Sequence, residues 1–221
     1  MTGVLALVGG EEWREGCTFD AGLLEASGGR DVLVLPTAAA FEHPERAVAT
    51  AREWFAGLGA EVRELMVLRR ADAMDEEAAA AVRAARFVYL SGGSPLHLRS
   101  VLKDSLLWDA LVHAWSEGAV VAGSSAGAMT LCDPMVDPRG GAFTVGLGLV
   151  TQLAVVAHRT TWSEDKLRRA IELAGSGIPV VAIDERTALI RGADGSWKMQ
   201  GSGTVAVFLD GEPAGLDALP H

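Results

Sequence analysis

Five short apolar runs, at residues 4–8, 32–35, 61–67, 87–90 and 119–122, are separated by segments of helical composition, and this alternation restricts the fold more than any other feature of the chain. Strands that recur with a helix between them pair in parallel, because a crossover long enough to hold a helix brings the chain back to the same end of the sheet. The intervening helices are legible. Residues 44–58 begin with Pro44 and carry Val48, Trp54 and Phe55; 76–85 is alanine-rich; 95–115 begins with Pro95 and holds two apolar stretches. A further helix opens at Ser163-Glu164-Asp165 and runs to Leu173, with an acidic first turn and Gly175 just beyond its end. After residue 143 the pattern changes: 144–150, 152–157, 180–183, 187–190, 196–200 and 204–209 are strand-like with few helices between, and Ala193-Asp194-Gly195-Ser196 reads as a hairpin turn. The expected fold is therefore three-layer α/β, with a mostly parallel central sheet, helices on both faces and an antiparallel C-terminal β-meander. No linker-like stretch divides the 221 residues, so 1–221 is expected to form a single domain.

Composition narrows the classes of function. A net charge of -10 argues against nucleic acid, whose phosphates require a basic face. The first ten residues lack the basic start and long apolar core of a secretion signal, and Glu11-Glu12 follow at once. No apolar stretch approaches the ~20 residues that span a bilayer. Two cysteines, Cys17 and Cys132, are too few for a disulfide framework or a zinc ribbon, and no His-Glu-x-x-His pair occurs. The expectation is a cytoplasmic chain without metal or cofactor, with a small-molecule partner and with a homodimer as the assembly to consider.

Chemistry concentrates in Gly123-Ser124-Ser125-Ala126-Gly127-Ala128, which lies between the apolar run 119–122 and Met129-Thr130-Leu131. Strand, sharp turn and helix in this order form the setting of a nucleophile elbow, with Ser125 at the tip and flanking glycines where side chains would clash. The bland alternative is a tight turn in which Ser125 merely caps the helix. In a parallel sheet, ligands bind beyond the carboxyl ends of the strands. There, Ser91-Gly92-Gly93-Ser94-Pro95 exposes backbone amides, and the N–H groups of Gly93 and Ala126 are candidate oxyanion donors. His158 ends the strand-like run 152–157 and is the first choice for a base; His97, one turn into the helix after the glycine pair, is the second. His113 lies among Leu111, Val112 and Trp115 and reads as a packing residue, while His43 and His221 fall in loop or tail. A base of this kind needs a carboxylate on its other ring nitrogen, and Asp133, Asp137, Asp184 and Glu185 all qualify by position.

These residues resemble the aspartyl dipeptidase and cyanophycinase family of serine peptidases, which shares the class I glutamine amidotransferase-like fold. The resemblance rests on Gly123-x-Ser125-Ala126-Gly127-Ala128, the strand ending in Gly92-Gly93, His158, and Asp184-Glu185-x-Thr187-Ala188-Leu189, spanning about residues 87–190. It implies Ser125 as nucleophile, His158 as base, Gly93 and Ala126 as oxyanion donors, and an acid downstream of the elbow, which favours Asp133, then Asp137, over Glu185. The implied activity is a dipeptidase-like hydrolysis of small peptides through an acyl-enzyme, with N-terminal aspartyl peptides as the family's substrate. Gly92, Ser94 and Arg159, with Arg139, are the candidates for substrate contact. The chain departs from the family in Ser94-Pro95 after the glycine pair and in Arg159-Thr160-Thr161-Trp162 after the histidine. Two other readings stay open: a non-catalytic module of the same fold that holds a small ligand, and an esterase-type hydrolase. An amidotransferase would want cysteine, not Ser125, at the elbow.

Overall fold

A computed structural model of the chain describes residues 2–220; Met1 and the tail residue His221 lie outside the described residues. The expected parallel strands form as β1 (Leu5–Val8), β2 (Asp31–Leu35), β3 (Glu61–Glu64), β4 (Phe87–Leu90) and β5 (Val120–Ser124). Two small pairs follow, β6 (Cys132–Asp133) with β9 (Val150–Thr151) and β7 (Met135–Val136) with β8 (Phe143–Thr144). Then come β10 (Ala154–Val156), β11 (Val180–Ile183), β12 (Thr187–Arg191), β13 (Trp197–Gly201), β14 (Val205–Leu209) and β15 (Glu212–Ala214). The central sheet has the order β13-β12-β1-β5-β4-β2-β3, parallel from β1 to β3 and antiparallel at β12 and β13.

Alternation along each strand explains the layers, since successive side chains leave a strand on opposite faces. Leu5, Leu7, Leu33, Leu35, Val88, Leu90 and Val121 feed one buried cluster, and Ala6, Val8, Val32, Val34, Phe87, Tyr89, Val120 and Ala122 feed the other. Both faces are apolar, as a sheet covered on both sides requires. One face is covered by α1 (Phe19–Ser27) and α2 (Pro44–Gly57) through Phe19, Leu23, Val48 and Phe55. The other is covered by α3 (Glu76–Ala84), α4 (Pro95–Leu102), α5 (Leu106–Ser116) and α6 (Ala126–Leu131). The three-layer fold is thus the one expected from the alternation, and no helix among the described residues is long and apolar enough to cross a membrane.

Three details differ from the sequence reading. Helix α1 lies in a segment expected to be helical in composition but given no bounds. The expected helix 95–115 is two helices, because Asp104 takes a positive φ of 53° and Ser105 then caps α5 by accepting from the Trp108 amide at 3.1 Å. The C-terminal strands are antiparallel except where β11 lies parallel to β10, and they divide between sheets: β12 and β13 extend the central sheet beyond β1, while β11, β14 and β15 join β10. β12 supports this position because Ala188 and Ile190 face one core and Leu189 the other.

Within α1, Asp20 is buried, with Oδ2 accepting from Trp54 Nε1 at 2.9 Å and Oδ1 without a partner among the described residues. Burial pushes its pKa from 3.8 up to about 8; the Trp54 bond opposes this and the neighbouring Glu12 adds to it. The folded value lies above the unfolded one, so this group does not weaken the fold in acid and destabilises it progressively as pH rises through that interval. Asp20→Asn is expected to remove the slope. Relative to wild type it should gain on the order of 1–3 kcal/mol between about pH 4 and pH 8, measured by denaturant unfolding at both values.

Candidate active site

The turn after β5 has the predicted shape. Ser125 takes φ 50° and ψ -107°, a conformation that non-glycine residues adopt only when their surroundings impose it. The imposition is visible on both sides of Ser125. Its amide donates to Val8 O at 2.8 Å, and its carbonyl accepts from Met129 N at 3.0 Å to start α6. Glycine is required at the flanks by close approach: a Cβ at Gly123 would lie 2.6 Å from the Gly127 carbonyl carbon, and one at Gly127 would lie 2.7 Å from Leu90 O. The turn therefore presses against the end of β4 and brings the Gly92-Gly93 loop beside Ser125.

His158 follows β10 with a positive φ of 53°, and its imidazole lies against Gly10, where a Cβ would collide with the ring. Its Nε2 is 2.9 Å from Ser125 Oγ, and its Nδ1 is 3.3 Å from Glu185 Oε1. The ring is partly open to solvent, whereas Glu185 is nearly covered, with side-chain exposures of 37% and 12%. Burial alone would raise the pKa of Glu185. Hydrogen bonds from the Thr160 hydroxyl, its own backbone amide and His158 outweigh it and hold the carboxyl below its ordinary value. Glu185 sits at the carboxyl end of β11 and His158 at that of the adjacent, parallel β10, so the pairing of the two strands brings them together.

The carboxylate on His158 is thus Glu185, and the preference for Asp133 is corrected. Asp133 Oδ1 accepts from the Gly146 amide at 2.9 Å, holding the loop that follows β8. Asp137 is committed to Arg139 through contacts of 3.0 and 2.7 Å, which bring its pKa down to about 2. Asp184 binds Arg159 through both oxygens, at 2.6 and 3.0 Å, and Arg159 also reaches Thr204 at 2.8 Å. Arg159 is thereby a brace between two loops, not a free cation for substrate. His97, the second candidate base, points its Nε2 to Leu68 O at 2.9 Å and packs edge-on to Phe41. Ser94 caps α4, accepting from the His97 amide at 3.3 Å.

The glycine pair divides its amides. Gly92 N–H donates to Glu12 Oε1 at 2.9 Å, which removes it from the substrate side. The amides of Gly93 and Ala126 donate to no acceptor among the described residues. Gly93 holds φ 134° against the carbonyl of Ala38, where any Cβ would collide. Glu12 was missed by sequence reasoning, since its partners Gly92 and Ser124 lie 80 and 112 positions away and no local pattern marks it.

A hydroxyl on a strained strand-to-helix turn, an imidazole within hydrogen-bond reach and a carboxylate behind that imidazole together define the side-chain arrangement of the serine hydrolases. The family follows from comparison: residues 7–196 match the model of Peptidase family S51, to which the chain belongs. It is 29% identical over 218 residues to a cyanophycinase of Synechococcus elongatus, covering 92% of this chain and 67% of that protein. A crystal structure of a peptidase from an acI-B1 actinobacterium superposes with a TM-score of 0.85 at 30% identity, over 95% of this chain and 92% of that one. A putative peptidase E from Listeria monocytogenes shares the fold, with a TM-score of 0.66 at 18% identity over 94% and 98% of the two chains.

Proposed function

We propose that this chain is a serine-type peptidase of small peptides, with Ser125 as nucleophile, His158 as general base and Glu185 as the carboxylate that orients His158. The observation that carries the reading is the 2.9 Å contact between Ser125 Oγ and His158 Nε2. Glu185 at Nδ1 favours the tautomer with the proton on Nδ1, which leaves Nε2 free to accept. Ser125 Oγ then attacks the scissile carbonyl carbon while Nε2 takes its proton. The negative oxygen of the tetrahedral intermediate is directed to the amides of Gly93 and Ala126, each donor being worth ~3 kcal/mol at the transition state. Nε2 returns the proton to the leaving amine as the C–N bond breaks. Water, deprotonated by the same imidazole, releases the acyl group and restores Ser125.

The substrate class is a short peptide with a free N-terminus, and N-terminal aspartyl dipeptides are the first to examine. The test is the ratio of kcat/KM for aspartyl, glutamyl and alanyl dipeptides to that for their N-acetylated forms. Hydrolysis is expected for unblocked dipeptides, with aspartyl preferred. Cleavage confined to blocked or polymeric substrates would replace the dipeptidase reading.

A further inference from the structure

Resting on the serine-peptidase reading, we propose that Glu12 is a positioning residue for acyl transfer: its carboxylate ties the Gly92-Gly93 loop to the strand residue before the nucleophile and so sets the direction of the Gly93 amide. Glu12 lies in the turn after β1, whose backbone already meets every segment that delivers the triad. Val8 O accepts from Ser125 N at 2.8 Å, Gly9 O from His158 N at 2.7 Å, and Gly10 O from Arg186 N, next to Glu185, at 2.8 Å. The following residue, Trp13, is buried and packs on Tyr89 with ring centroids 5.1 Å apart, which pins the turn to the sheet. The Glu12 side chain extends this junction to the remaining segment. Oε1 accepts from Gly92 N–H at 2.9 Å, and Oε2 accepts from the hydroxyl of buried Ser124 at 2.7 Å.

Two consecutive glycines have the widest backbone freedom of any pair, so an oxyanion loop built from them needs an outside constraint. The bond from Ser94 N to Ala38 O, at 2.8 Å, holds one end of the pair; Glu12 holds the other. With Gly92 N–H turned to Glu12, the next amide, Gly93, is the one left for the substrate. Donors of this kind stabilise the transition state only when their direction is fixed beforehand. Loosening the loop should therefore lower kcat and leave ground-state binding nearly unchanged.

The test compares Glu12→Ala, Glu12→Gln and Ser124→Ala with wild type, by dipeptide kinetics and by the rate of phosphonylation with a fluorophosphonate probe, whose adduct mimics the tetrahedral intermediate. Glu12→Ala should lose roughly 10- to 100-fold in kcat and in phosphonylation rate, with KM within about threefold. Glutamine can accept from Gly92 N–H and donate to Ser124 Oγ, so Glu12→Gln should stay within about threefold of wild type in both. Ser124→Ala, which removes one contact from the opposite side, should lose roughly 3- to 10-fold, and it keeps the question answerable if Glu12→Ala does not fold. Wild-type phosphonylation rates in folded Glu12→Ala or Ser124→Ala would overturn the proposal, as would Glu12→Gln as slow as Glu12→Ala. A wild-type enzyme that takes no probe at all would instead overturn the serine-peptidase reading, and this inference with it.

Discussion

Ser125→Ala is expected to lower kcat/KM on the order of 10⁴- to 10⁶-fold while leaving thermal unfolding unchanged. Among the described residues the hydroxyl's only side-chain partner is His158 Nε2, and the residue is partly exposed, so its loss removes no core packing. The backbone conformation survives because it is enforced by Gly123, Gly127 and the Val8 carbonyl, none of which the substitution touches. His158→Ala should cost a comparable factor, and the double variant should be no worse than either single one, because nucleophile and base act as one unit. Steady-state kinetics on the preferred dipeptide, with a thermal melt for each variant, check this. Independent, multiplying losses would contradict it.

Glu185→Gln is the second large effect, expected to lower kcat on the order of 10²- to 10⁴-fold. An amide N–H facing Nδ1 would favour the tautomer that carries its proton on Nε2, where it can no longer accept from Ser125. Asp133→Asn, by contrast, keeps a carbonyl oxygen for the Gly146 amide and should leave kcat within about threefold of wild type. The pair separates the carboxylate on His158 from the one that resemblance favoured. Stability supplies a second readout. Glu185 has a folded pKa below its ordinary 4.5, so its ionised form supports the fold above that value, and the support is lost as pH falls through the lower, folded value. Glu185→Gln should lose this part of the acid dependence.

The alternation of apolar runs was enough to give the layers and most of the central sheet, because each strand must satisfy two cores and shows it in its side chains. The elbow was legible for a similar reason: Gly123 and Gly127 are local steric requirements written within five residues. What is non-local was harder to read. Glu185 and His158 meet because β10 and β11 pair in parallel, a register that no window of sequence displays. The same holds for Glu12, whose partners come from β5 and from the loop after β4. Arg159 looked like a spare cation because its partner, Asp184, is 25 residues away. The helix break at Asp104 turned on one residue with positive φ, which asparagine and aspartate tolerate without announcing it.

The central claim, that His158 and Glu185 activate Ser125 as a nucleophile, is tested most directly by intact-mass analysis with peptide mapping after treatment with a fluorophosphonate probe. Wild type is expected to gain one adduct, mapped to Ser125, and Ser125→Ala none. An adduct on another residue, or equal labelling of folded Ser125→Ala, would contradict the account.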